Sequence, residues 1–449
     1  MKTKKQAIPF SFYDTAGMER HLEAMAEKGW FLESIGNFFW TYRQDTPKKV
    51  HYSAIYYPSA SAFEPEPSEG QQTIEDFCDH AGWRCAAANA QLLIFANERE
   101  NPIPIHTDPQ LELETLERMG RRTLWTHFLL IAICLLQCWT SLGQLLHDPI
   151  RLLSSSALLT NLLIFPMLGI YFVLETCTWY PWRKKARRAA EQDAPLPPVH
   201  GHHRFLLVVL GVTVLGLLYT FLAARLPGYR LLLAGMLAAY TALFLVVNGT
   251  RLALKKKKVS TGRNRAITLT VDLLLALVLT GGVTWYIFHA GHGHTAPDAA
   301  PPLELGNLLD ADTSDYMQVY QEDASFLLRS VQCRLHPPYD TDWSGRPTLD
   351  YTIVEIYVPA LYDTALHQLH HKYDHLGDHN EDYDPEHPFY EFRPADPAPW
   401  GAEQVWQRYS YGEADSVYLL SWADKIVELK PDWFLTETQM FTVGNTFSS

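Results

Sequence analysis

The sequence predicts α+β soluble domains flanking an all-α block of five transmembrane helices, and three observations carry that prediction. Five long apolar runs lie between residues 124 and 288, and clusters of Lys and Arg separate them on alternate sides. Charge then divides the chain: residues 1–122 hold 18 acidic and 13 basic side chains, residues 123–290 hold 5 and 16, and residues 291–449 hold 27 and 8. A bilayer core of roughly 30 Å takes about 20 helical residues. Leu124–Leu146, Leu158–Tyr180, Phe205–Ala224, Leu231–Thr250 and Ile267–Phe288 all reach that length. Glu175 and Asp272 are their only acidic residues.

Short loops rich in Lys and Arg stay on the cytoplasmic side. Two basic residues, Arg121 and Arg122, precede the first run; six lie between the second and third, and seven between the fourth and fifth. Against these stand Arg151, Arg225 and Arg230 on the other side. The expectation is a multi-pass cell-membrane protein with a cytoplasmic N-terminus and an extracytoplasmic C-terminus. Met1 to Lys5 is basic, but no apolar stretch follows before Asp14, so no signal peptide is expected. The acidity belongs to the outer domain and the basicity to the inner membrane face, where anionic lipid is the natural partner and nucleic acid is not.

Domain boundaries follow: 1–110 a cytoplasmic domain, 111–122 a connecting helix, 123–290 the membrane block, 291–324 a linker, and 325–449 an extracytoplasmic acidic α/β domain. Six cysteines form no disulfide framework, because Cys134, Cys138 and Cys177 fall in membrane helices, Cys78 and Cys85 in the cytoplasmic domain, and Cys333 stands alone outside.

In the first domain, Ile8 to Phe12 reads as a strand, and Met18, Leu22, Met25 and Ala26 give the apolar face of a helix that Gly29 ends. Trp30 to Tyr42 and Val50 to Tyr57 read as strands, and a Pro-, Ser- and Glu-rich loop leads to a second helix, Gln72 to His80. That helix also ends in Gly-Trp. Leu22 and Met25 before Gly29-Trp30 match Ile74 and Phe77 before Gly82-Trp83, and strands follow near Trp83 to Ala87 and Gln91 to Asn97. The order predicts a ferredoxin-like α/β sandwich with one strand added, each Trp anchoring the handover from helix to sheet.

Phe12-Tyr13-Asp14, Met18-Glu19, Leu22, Met25-Ala26 and Gly29-Trp30 together resemble the opening motif of the DUF2812-type family, bacterial membrane proteins built on a domain of unknown function. The resemblance implies a cytoplasmic module followed by membrane helices. It also implies a regulatory setting, since members are often encoded beside PadR-like transcription regulators, and no enzyme activity.

No phosphate-cradling glycine loop, H-E-x-x-H pair or G-x-S-x-G elbow occurs, so no enzyme is expected. Glu175 and Asp272 are intramembrane acids, but both lie near the cytoplasmic ends of their helices, where Arg183 and Arg265 are at hand. Asn161 and Asn248 are expected to bond between helices. His289, His292 and His294 cluster where the fifth helix ends, and His367, His371, His375 and His379 recur every four residues. Within a helix from Leu361 to Leu376 these four form one stripe, opposite an apolar face. An exposed imidazole stripe is an ordinary solvated surface, a candidate site for a divalent metal such as zinc, copper or nickel, or a pH sensor.

The rest of the outer domain reads as strands at Phe326–Leu335, Tyr351–Val358, Gln404–Tyr411, Ser416–Trp422 and Lys425–Leu429, with loops at 337–347 and 378–399. Its aromatics, Trp343, Trp400, Trp406, Tyr409 and Tyr411, are expected as core or loop anchors, with the lining of a ligand or carbohydrate groove as the alternative. The pattern points to a membrane-anchored regulatory or sensory protein, partnered inside by a transcription regulator or signalling protein. The alternative is a transport-associated protein whose outer domain captures a metal or solute.

Overall fold

The computed structural model describes residues 2–448 apart from 8–9, 37–38, 66, 90, 106–107, 200, 225–226, 290–300, 310–312, 314, 339–344 and 374–389. The chain forms two compact units: residues 1–137, 164–213 and 239–280 make the first, and residues 138–163, 214–238 and 281–449 make the second.

The N-terminal part of the first unit is one pattern used twice. Strand β1 (Thr3–Ala7), helix α1 (Thr15–Ala26) and strands β2 (Trp30–Ile35) and β3 (Phe39–Gln44) give an antiparallel sheet of order β1-β3-β2. Strand β4 (His51–Tyr56), helix α2 (Glu69–His80) and strands β5 (Arg84–Asn89) and β6 (Leu92–Asn97) repeat it as β4-β6-β5. The expected sandwich is therefore two three-stranded sheets. Gly29 and Gly82 stand at equivalent corners with φ of +78° and +87°, which only glycine adopts cheaply. One core joins the repeats: Met18, Leu22, Met25 and Ala26 of α1 pack with Trp40 and Tyr42 of β3, Tyr52 and Ala54 of β4, and Ile94 of β6.

Three local expectations shift. The first strand lies at Thr3–Ala7, a polar edge strand held by backbone pairing to β3. Trp30 to Tyr42 is two strands, closed by a hydrogen bond from Gly36 N–H to the Phe39 carbonyl. Phe77 is exposed, and Ile74 and Cys78 turn α2 toward Trp83, which is buried while its counterpart Trp30 is only half-buried.

Helices α3 (Pro109–His147), α5 (Ser156–Glu191), α6 (His203–Ala223), α7 (Pro227–Lys256) and α8 (Thr261–His289) contain the five candidate spans. Their apolar side chains are largely exposed, as hydrocarbon requires of a bilayer protein. The chain is a multi-pass membrane protein. The connecting helix and the first span are continuous in α3, and a short helix, α4 (Pro149–Ser154), fills the link between α3 and α5. Asn248 bonds back to the Phe244 carbonyl of its own helix, and Thr160 of α5 instead bonds Thr220 of α6, at 3.1 Å.

The C-terminal part of the second unit is a seven-stranded antiparallel sheet. Its strands are β7 (Met317–Ala324), β8 (Leu328–His336), β9 (Leu349–Ile356), β10 (Tyr390–Ala395), β11 (Gln404–Ser410), β12 (Glu413–Ser421) and β13 (Lys425–Pro431), in the order β10-β11-β12-β13-β9-β8-β7. Helix α10 (Glu437–Ser448) covers one face with Val443 and Phe447, on Val331, Tyr351, Tyr418 and Leu429. Helices α9 (Tyr362–His370) and α4 cover the other, packing Ala365, Leu369 and Ile150 on Leu328, Val354, Leu419 and Ile426. Strand β7 occupies the expected linker and β10 the expected loop 378–399. Both are edge strands carrying polar side chains, which is why alternation of apolar residues did not mark them.

Candidate functional site

The face of the sheet beneath α9 and α4 changes character halfway along. Where β9 and β13 carry Val354 and Ile426 it is apolar core. Two residues on, Gln321, Gln332, Thr352 and Glu428 stand in register across β7, β8, β9 and β13. The next rung is Val319, Arg334, Asp350 and Lys430. A polar patch on a sheet face otherwise given to packing is costly to cover unless its groups find partners.

Above this patch opens a groove of about 470 Å³, within the roughly 300–1,000 Å³ of small-molecule sites. Asp148, Arg151 and Ser154 wall it from the α4 side, Gln368 and Lys372 from the α9 side, and Gln321, Asp323, Ser330, Gln332 and Thr352 form its floor. Gln368 locks the walls together: its Oε1 accepts from Ile150 N–H at 2.7 Å and its amide donates to Asp148 Oδ1 at 2.7 Å. Asp148 also accepts from Arg151 N–H, capping α4. Ser325 donates to the Leu153 carbonyl, which ties the start of β8 to the same helix. By contrast Gln321, Ser330, Gln332 and Thr352 make no side-chain hydrogen bond among the described residues. Their donors and acceptors face the groove unspent.

A smaller pocket of about 70 Å³ adjoins it, sharing Gln332, Thr352 and Lys372 and adding Arg334, Asp350 and Lys430. Behind it lies Glu428, fully buried, accepting from Lys372 Nζ at 2.8 Å, Lys430 Nζ at 3.2 Å and Tyr373 Oη at 2.5 Å. Burial alone would raise this carboxyl; the two ammonium groups and their hydrogen bonds outweigh it and hold Glu428 below the usual range. Burial also lowers Lys430 and raises Asp350. The Arg408 guanidinium lies over the rings of Tyr373 and Tyr390, at 4.6 and 5.0 Å, which fixes the hydroxyl that serves Glu428.

In the first unit, the motif residues gather at the junction of the N-terminal repeats with α3 and α5. Tyr13 is buried between Trp179 and Trp182, ring centroids 5.0 and 4.8 Å away, and Phe12 meets Trp179 at 5.0 Å. Gly120 of α3 admits this cluster, since a Cβ there would stand 2.6 Å from the Trp179 ring. Ser11 donates to Glu175 at 2.8 Å, and Tyr13 Oη pairs with Thr178 at 3.1 Å. Nearby, Glu117 accepts bidentate pairs from both Arg183 and Arg187 at 2.6 to 2.9 Å, clamping α3 to α5. Asp14 caps α1 by accepting from Gly17 N–H, and a Cβ on Gly17 would strike the capping carboxylate. Glu19 accepts from Ala54 N–H at 2.9 Å; burial, with Glu112 and Glu23 adding repulsion, raises it to about 7.

Residues 14–130 match the family described as a protein of unknown function, DUF2812. Over this segment the chain is similar to the DUF2812 family. No curated protein and no solved structure matches the chain. The match begins at Asp14, after β1 and after Phe12 and Tyr13, and runs through the rest of both βαββ repeats into α3 as far as residue 130, so it includes Asp14, Glu117 and Gly120. The groove residues lie outside it.

Of the histidine stripe, His367 and His371 are exposed at the end of α9 with ring centroids 4.3 Å apart, whereas His375 and His379 lie outside the described residues, as do His292 and His294. The helix ends at His370, short of the expected Leu376. Among the described residues no group of three or more His, Cys, Asp or Glu is placed to hold a metal ion. His370 instead packs on Phe392 and Trp406. Glu175, expected beside Arg183, is 5% exposed and bonds Ser11 while Arg183 serves Glu117. Trp400 is core, as expected. The groove itself went unread, because its floor is assembled by register between strands far apart in sequence.

Proposed function

We propose that the chain is a membrane-anchored regulatory or sensory protein, with the DUF2812-like domain in the cytoplasm and the seven-stranded domain outside. The observation that carries this reading is the junction: Ser11, Phe12 and Tyr13, immediately ahead of the matched segment, fasten the N-terminal repeats to Glu175, Trp179 and Trp182 of α5. Helices α3 and α5 are joined in sequence by α4, which walls the groove. Occupancy of the groove therefore bears on the segment linking the two helices that carry the N-terminal repeats. The sidedness rests on the basic loops, thirteen Lys and Arg in the two inner loops between spans. Its cytoplasmic partner, on this reading, is a transcription regulator or another soluble signalling protein. The groove is a binding site in this scheme and not a catalytic one, since neither Ser330 nor Thr352 bonds a base among the described residues.

The test is affinity purification of the full-length chain from native membranes, comparing wild type with Tyr13→Ala. The expected outcome is a soluble regulatory protein retained by the wild type and lost from the variant. Solute flux in proteoliposomes with no retained partner would favour the transport-associated reading, which the open groove also suits. A reporter fused after Ser449 is expected to be active only on the outer side; activity in the cytoplasm would overturn the orientation.

A further inference from the structure

The groove has two poles of opposite charge. At the β7 edge, Asp323 and Asp148 face it, with Arg151 also in the lining. Toward β13, the adjoining pocket sets Lys372, Lys430 and Arg334 against Asp350. Between the poles the lining is the neutral row Gln321, Gln332 and Thr352, whose side chains are unspent among the described residues. The domain around it carries 27 acidic and 8 basic residues, so three of its eight cations are spent on this one small pocket. Five others are placed elsewhere: Arg329, Arg346, Arg393 and Arg408 on carboxylates and Lys425 on a carbonyl.

A domain of such net negative charge repels free anions. A ligand carrying a carboxylate must bring its own positive charge, and the two poles offer a place for each. From Asp323 on β7 to Arg334 on β8 is one strand spacing and four residues along the strands, about 14 Å by register at roughly 4.8 Å per strand and 3.4 Å per residue, and Lys430 on β13 lies farther along the same rung as Arg334. A free amino acid is too short for that distance. An extended chain rising about 3.3–3.6 Å per residue covers most of it with three or four residues, and long side chains at the poles close the remainder. The intervening amides and hydroxyls supply the alternating donors and acceptors that a peptide backbone presents. Among the described residues no aromatic platform lines the groove, which disfavours a sugar.

We propose that this groove binds a short peptide of three or four residues with both termini free, its carboxylate toward Arg334 and Lys430 and its ammonium toward Asp323. The ligand rests on the sensory reading only in that the groove must face the compartment where the peptide is met; binding itself does not depend on signalling. Neither Asp323 nor Arg334 makes a side-chain hydrogen bond or ion pair among the described residues, so either can be altered without opening the core.

The experiment uses the full-length chain in nanodiscs, titrated calorimetrically with trialanine, alanine and trialanine blocked at either end. In parallel, a randomised tripeptide library with free termini is passed over the immobilised protein and the retained peptides are read by mass spectrometry. Retention of free tripeptides is expected, weakened at least tenfold by N-acetylation or C-amidation and by Asp323→Asn or Arg334→Gln. N-acetylation and Asp323→Asn should not add to one another. Retention of nothing from the free library, equal retention of blocked peptides, or alanine binding as tightly as a tripeptide would overturn the proposal. If peptides bind but leave partner retention in the membrane purification unchanged, the ligand stands and the sensory role falls.

Discussion

The junction in the first unit and the groove in the second are both rich in polar groups, and they use them in opposite ways. At the junction every carboxylate discussed has a protein partner: Glu175 has Ser11, Glu117 has two arginines, Asp14 caps a helix and Glu19 holds Ala54 N–H. In the groove Gln321, Ser330, Gln332 and Thr352 are left unspent among the described residues. Committed polar groups fix a geometry, whereas uncommitted ones on a rigid floor are available to something else. The difference separates architecture from recognition.

If that contrast is right, the largest stability effect belongs to the junction. Tyr13→Ala removes a buried ring from between two tryptophans and should cost about 3–5 kcal/mol, seen as a lower melting temperature by intrinsic fluorescence of the detergent-solubilised chain. Tyr13→Phe keeps the packing and gives up only the bond to Thr178, about 1 kcal/mol. Equal losses from the two variants would mean that the hydroxyl, not the aromatic stack, holds the junction.

Next comes Glu428, which lies buried behind the groove and, like a junction residue, is committed to protein partners. Glu428→Gln leaves Lys372 and Lys430 facing each other without their carboxylate and should cost about 3 kcal/mol. Because its folded value is held below the unfolded one, the stability that Glu428 supplies is present above the unfolded pKa and is lost as pH falls through the folded one. An acid limb of the melting curve that is unchanged in the variant would contradict the pairing.

Glu19 should slope the other way. Its carboxyl titrates at about 7 in the folded chain against 4.5 as a free group, so the folded state binds the extra proton between those values and stability falls as pH rises across them. Above about pH 7 the loss is complete. Glu19→Gln should flatten that limb and recover on the order of 2 kcal/mol at pH 8, after allowance for water reaching the part-exposed side chain. A curve as steep in the variant as in the wild type would place the titrating group elsewhere.

What the sequence made legible follows the length scale of each signal. Membrane spans declare themselves within one contiguous run of about 20 residues, and all five do. The doubled repeat shows because Gly29 and Gly82 are needed for their positive φ at equivalent corners. Strands whose side chains are mostly polar do not declare themselves: Thr3–Ala7, Met317–Ala324 and Tyr390–Ala395 are edge strands placed by backbone pairing. The six-residue α4 is too short to show a period, and α10 alternates Thr and Gly with its buried Val443 and Phe447. The groove is hidden for a further reason. Gln321, Gln332, Thr352 and Glu428 become neighbours only through sheet register, and each alone is an ordinary polar residue on a strand. The histidine stripe had the opposite property, a visible spacing whose second half lies outside the described residues.

The smallest expected effect is the one that separates the two regions best. Gln332→Leu with Thr352→Val removes two of the unspent groups from the floor while keeping side-chain size close. No protein partner is lost, so the melting temperature should stay within the change that about 0.5 kcal/mol produces. If the pair instead destabilises the chain by 2 kcal/mol or more, on the order of a lost buried hydrogen bond, these groups are committed after all and the groove is part of the scaffold. A near-zero cost in stability joined to lost peptide retention would have the pattern of a binding floor, because the two side chains would then serve the ligand and not the packing of the sheet. The same measurement on Asp14→Ala, where about 1 kcal/mol of capping is at stake, calibrates how small an effect the assay resolves.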